Sequence, residues 1–153
     1  MVDTAAGGGF SADSIRAYIA RKKEATAAEQ RAHEAAVKAE REKLHAAFLE
    51  REVPPDALDR LAVLVRKAVD AGEKQALVFR FPSEWLPDQG RAITNHEKNW
   101  HEKLDGAAKR AYEYYERELA PRGFQLRAEI VDWPGGMPGD VGFFLQWKRP
   151  EEL

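Results

Sequence analysis

Two histidines stand five positions apart in His96-Glu97-Lys98-Asn99-Trp100-His101, a string close to the HExxH pattern of zinc hydrolases. It holds one residue too many. On a helix an i,i+5 pair lies about 140° apart, so the two imidazoles cannot meet a metal on one face, and no metal site is assigned. An imidazole still titrates near neutrality, which leaves either histidine suited to acid/base work. Around them the sequence sets Trp85, Asp88, Arg91, Asn95, Trp100, Asp132, Trp133 and Asp140. Arg91 offers a planar guanidinium that fits carboxylates and phosphates, and the tryptophans offer flat apolar walls. Trp85, Arg91, His96, Trp100, His101, Trp133 and Asp140 are therefore the candidate binding residues, and an anionic small molecule is the ligand they suit. The plainer alternative is that Trp85 and Trp100 lid a core while Asp88, Asn95 and Asp140 serve turns and caps.

Other chemistry finds less support. Asp132-Trp-Pro-Gly-Gly-Met-Pro-Gly-Asp140 is rich in glycine, but a strand pattern follows where a phosphate loop needs a helix. It reads as a stiff hairpin loop, with Met137 either exposed at its tip or folded onto Trp133. With no cysteine in the chain, disulfides and thiolate chemistry are excluded, and a reducing compartment is expected. No Ser-His-Asp arrangement is recognisable, so no catalytic residue and no cofactor is assigned. Lys and Arg number 24 against 26 Asp and Glu, a net charge of −2 that gives no general pull toward nucleic acid or anionic lipid. Arg21-Lys22-Lys23 and Arg66-Lys67 are short basic clusters beside acids, best read as solvated helix surface.

The elements that must position these residues are marked by glycine and proline. No proline precedes Pro54 and no glycine lies between Gly9 and Gly72. Residues 11–53 hold twelve alanines and seventeen charged residues without a breaker, which predicts one long helix. Ser11 is its expected cap, with Phe10 and Ile15 as a hydrophobic staple. Strong hydrophobes occur only at its ends (Ile15, Tyr18 and Ile19, then Leu44, Phe48 and Leu49), so the ends are expected to pack and the middle to project into water. Residues 1–10 read as a flexible tail.

Pro54-Pro55-Asp56 ends this helix and opens a second, with Leu58, Leu61, Leu64, Val65 and Ala68 facing the core and Gly72 as its left-handed stop. Gln75 to Phe81 reads as a strand, with Leu77, Phe79 and Phe81 on one face and Ala76, Val78 and Arg80 on the other. No period shows in 82–98. A third helix is expected from Trp100 to Ala120, with Asn99 and Glu102 as a capping box and Tyr115 on its inner stripe, Tyr112 flanking and Tyr114 toward solvent. Phe124–Asp132 and Val141–Lys148 alternate and should form a hairpin.

The fold class is then α+β: a long N-terminal helix followed by a small two-layer α-β-α-β-β domain over residues 54–150, with a three-stranded mixed sheet. A right-handed strand-helix-strand crossover sets the first two strands parallel, so the loops 82–101 and 132–140 leave one end of the sheet and bring the candidate residues together. The expected role is a small cytoplasmic binding or adaptor module. Its long, coiled coil-like helix would reach a protein partner, with a small enzyme or anion-binding protein as the alternative. Its seam is too polar for a stable coiled coil, so the protein alone is expected to be a monomer, with no membrane segment and no nucleic-acid partner.

Overall fold

In a computed structural model, which describes residues 10–147, the chain falls into two units, Met1–His45 and Ala46–Leu153. Residues 1–9 of the expected tail 1–10, and the end of the last strand at Lys148, lie outside the described residues. Helix α1 runs Ala12–Glu50. Ser11 and Ser14 cap its start reciprocally: each backbone amide donates to the other's hydroxyl. Phe10 is 75% exposed and so does not close the expected staple. Of the hydrophobes at the far end only Phe48 is buried, whereas Leu44 and Leu49 remain exposed.

Helix α2 (Ala57–Asp70) ends at Gly72 as its sequence requires. Gly72 takes φ +77°, its amide donates to Val69 O and the Glu73 amide to Ala68 O, which together satisfy the terminal carbonyls. The face pattern is less simple. Only Ala57 and Ala68 are buried on α2, and Leu61 and Leu64 stay partly open.

Strands β1 (Gln75–Pro82), β2 (Gln125–Ile130) and β3 (Asp140–Gln146) form one sheet in the order β1-β3-β2, and both pairings are antiparallel. The sheet is antiparallel, not mixed. The run Val141-Gly-Phe-Phe-Leu145 is the most continuously apolar of the three, and it takes the central place, where both edges are covered. β1 and β2 nevertheless run in the same direction, separated by β3. Pro82 pairs with Asp140 and Ile130 with Val141, so the segments following both strands do leave one end of the sheet.

The inner face carries Ala76, Phe81, Ala128, Val141, Phe143 and Leu145 against Phe48, Leu104, Ala107 and Ala108. One expected alternation fails. Leu77 pairs with Phe144 and Phe79 with Phe143, which leaves Val78 as an extra residue in β1. This bulge turns Val78 and Phe79 both toward the core and puts Leu77, 41% exposed, on the outer face.

The segment 82–98 is not without structure. It holds a 3-10 turn at Ser83–Trp85 and a single helical turn, α3 (Arg91–Thr94). The expected third helix is also broken: Trp100–Lys103 is a separate 3-10 turn, and α4 (Gly106–Tyr114) starts behind Asp105, whose Oδ1 accepts from the Gly106 amide. The cap is thus Asp105, not Asn99. Beyond α4 the residues Tyr115–Leu119 form a π-helical turn in which the Ala120 amide donates to Tyr115 O. Pro121 has no amide, and its ring excludes the carbonyl four residues back, so the turn before it widens.

Candidate functional site

The seven residues singled out by sequence divide among three places. Trp85, half-buried, sets its ring 5.0 Å from Phe48. Trp100 packs edge-on against Tyr112 and Phe143 at 5.5 and 5.8 Å, and His101 lies flat on the Tyr112 ring at 4.7 Å. These three are part of the aromatic packing around the core. Asp140 holds the Arg80 Nε at 2.7 Å, and the pairing pushes the Arg80 guanidinium above its ordinary pKa, chiefly through that hydrogen bond. Asp132 completes the group: its carboxylate accepts from the Asp140 amide at 2.6 Å and stands 3.5 Å from Arg80. The carboxylates therefore fasten the hairpin loop to β1. Trp133 and Met137 are exposed on that loop, Met137 at 68%.

Arg91 and His96 are exposed at the two ends of α3. Among the described residues no hydrogen bond, ion pair or ring contact joins Arg91, His96 or Trp133 to another of the seven. The amides that could have met an anion beside Arg91 already have one. Asp88 accepts from Gly90 through Oδ1 and from Ala92 through Oδ2, both at 2.9 Å. His96 sits at φ +54° in the closing turn of α3, its amide donating to Ile93 O and that of Glu97 to Ala92 O, a place where glycine is usual. Asp88→Ala is therefore expected to lower stability by about 1–2 kcal/mol, because two charge-assisted bonds to backbone amides are lost. Arg91→Ala should stay within about 0.5 kcal/mol. Urea denaturation of the two variants checks this, and an equal loss in both would mean that Arg91 also holds the loop.

A second arrangement was not visible in the sequence. Between α2, α4 and the inner face of the sheet lies a cavity of about 300 Å³. Val78, Phe79, Leu126 and Phe143 form its floor. Ala57, Leu61 and Leu64 come from α2, and Ala107, Ala111 and Leu119 from the opposite side. Its polar groups are few: Arg51, Glu52 and Arg60, with Tyr114 and Tyr115. The Arg51 guanidinium stands over the Phe79 ring, 5.8 Å from its centre. The Tyr115 hydroxyl donates to Phe124 O at 2.9 Å and is fixed by it. Burial, reinforced by Glu118, pushes the Tyr114 hydroxyl above the usual phenol range, so it is neutral at pH 7.

Two irregularities of the backbone, the β1 bulge and the π-helical turn, face this cavity. The β1 bulge supplies Val78 and Phe79, and the π-helical turn supplies Tyr115 and Leu119. A bulge and a π turn each re-aim side chains at the expense of regular hydrogen bonding, and both recur beside functional sites. Leu61 and Leu64, which stay partly open, line the same cavity from α2. The only signals in the sequence were the apolar stripe on α2 and Pro121 at the end of the third helix. Compared with known protein families, with curated proteins and with solved structures, this chain matches none.

Proposed function

We propose that this protein is a small binding module whose unit of residues 46–147 takes an apolar ligand into the cavity between α2, α4 and the sheet. The observation that carries the reading is the convergence of the β1 bulge and the π-helical turn on a cavity floored by Val78, Phe79, Leu126 and Phe143. About 300 Å³ is at the small end of the range for ligand sites, and an apolar lining with a few polar groups at one side is their usual composition. In this reading the loops 82–101 and 132–140 are scaffold. The helix α1, exposed along nearly all of residues 16–44, is left for a protein partner, as an adaptor in the cytoplasm would use it.

The test is a series of straight-chain primary alcohols titrated into the full-length protein by calorimetry. Each methylene that enters the cavity should tighten binding about three- to fourfold, until the chain outgrows the space. Ala111→Leu fills the cavity from the α4 side and should abolish this binding while the thermal midpoint holds or rises. Binding that shows no chain-length dependence, or that survives in Ala111→Leu, rejects the reading.

A further inference from the structure

The cavity is apolar in its floor and walls but not at its rim, and the rim is uneven in charge. Its lining holds two arginines, Arg51 and Arg60, against one carboxylate, Glu52. Arg60 is already engaged through its Nε by Asp56 Oδ2 at 2.9 Å. Arg51 is placed differently. Among the described residues it makes no ion pair, and its guanidinium is stacked on Phe79, a ring of the cavity itself. A guanidinium lying on an aromatic face keeps its edge donors for a planar anion.

The backbone under Arg51 is held in place. Arg110 Nη1 donates to both Leu49 O and Arg51 O at 2.9 Å, which neutralises the carbonyl end of α1 and fixes where the Arg51 side chain departs. The first turn of α2 also lines this cavity through Ala57, and the positive end of its dipole is met there by Asp56 and Asp59, so Arg51 is the cation left for a ligand.

We propose that the ligand of this cavity is an amphipathic carboxylate, a medium-length alkyl or aryl acid whose apolar body lies on Phe79 and Leu126 and whose carboxylate is held by Arg51. The inference rests on the cavity being a ligand site and adds the charge of the ligand and the residue that selects it. An alkyl ammonium of the same length would meet Arg51 with like charge, and an alcohol would fill the body of the cavity while leaving the guanidinium to water.

Decanoate, decanol and decylamine are the probes, titrated by calorimetry into the full-length protein and into Arg51→Met, which keeps the apolar stem over Phe79. In the parent protein decanoate should bind about three- to tenfold more tightly than decanol, and decylamine more weakly than either, with the gap narrowing in 0.5 M sodium chloride. In Arg51→Met the decanoate advantage should vanish while decanol affinity stays within about twofold. If decanol binds as well as decanoate to the parent, or if Arg51→Met weakens both alike, selection by Arg51 is wrong although the cavity reading stands. If none of the three probes binds the parent protein, the cavity reading fails and this inference with it.

Discussion

Truncating Phe48 to alanine is expected to lower the stability of the unit that contains it by about 4 kcal/mol. Phe48 is 5% exposed, near the carboxyl end of a helix that is otherwise almost entirely solvated. Its ring meets Trp85 at 5.0 Å, Phe81 at 5.3 Å and Phe79 at 6.4 Å, so it joins the 3-10 turn to β1. Alanine would leave a hole among three aromatic groups, two of them fixed on β1 and the third on the 3-10 turn that follows it, which could not collapse into it. For a unit of this size the midpoint should fall by roughly 15 °C or more. Leu49, 38% exposed and next in the chain, supplies the control, and Leu49→Ala should lose no more than about 1 kcal/mol. Thermal and guanidinium denaturation of both variants decides the matter. Should Phe48→Ala fail to fold, Phe48→Leu, with an expected loss of about 1–2 kcal/mol, measures the same contact. Equal, small losses at 48 and 49 would show that the end of α1 is not part of the core.

That helix also shows what a sequence can and cannot carry. Its extent was legible because an unbroken run of alanines and balanced charges admits one local structure, and Pro54-Pro55 and Gly72 bound α2 for equally local reasons. Which of Leu44, Phe48 and Leu49 would be buried was not legible, since all three lie within six residues and the answer depends on what stands opposite. β1 failed for a related reason. Ala76, Leu77, Val78 and Phe79 are four apolar residues in a row, so a bulge at Val78 leaves no trace in the pattern. The break before α4 does leave one: Asp105-Gly106 is a turn pair, set between two stretches of helical period that mask it.

The candidate site separates along the same line. The loops after β1 and β2 meet at one end of the sheet because β3 enters between the two strands and reverses direction relative to both. Ser83 confirms the meeting, its amide donating to Gly139 O at 3.0 Å. What fills that end follows the plainer of the two readings of Asp88 and Asp140, as turn and cap residues: Asp88, Asp132 and Asp140 satisfy the nearby amides and Arg80 from within the chain. The cavity, in turn, is a product of spacing between elements. No single segment encodes it; the apolar stripe of α2 and Pro121 are its only traces in the sequence.

Gly106→Ala should cost about 3 kcal/mol at this buried first position of α4, for two separable reasons. Gly106 takes φ +53° at the first position of α4, a conformation that alanine adopts at an expense of about 1 kcal/mol. A Cβ there would also stand 2.9 Å from Leu49 Cα and 2.9 Å from Phe48 O, with the Phe48 ring at 3.2 Å. The two nearest atoms belong to the main chain, so rotation of a side chain cannot relieve the contact; the end of α1 must move away from α4, which adds about 2 kcal/mol. Gly123 separates the terms, because it lies at φ +91° with nothing within 4 Å of a Cβ. Gly123→Ala should therefore lose only the conformational part, about 1 kcal/mol, and guanidinium denaturation of both variants reads the difference. Combining Gly106→Ala with Phe48→Ala should bring no rescue, since the obstructing atoms remain after the ring is gone. If the Gly106 and Gly123 variants lose equally, backbone conformation explains both, and the close seating of the last turn of α1 on α4 is wrong.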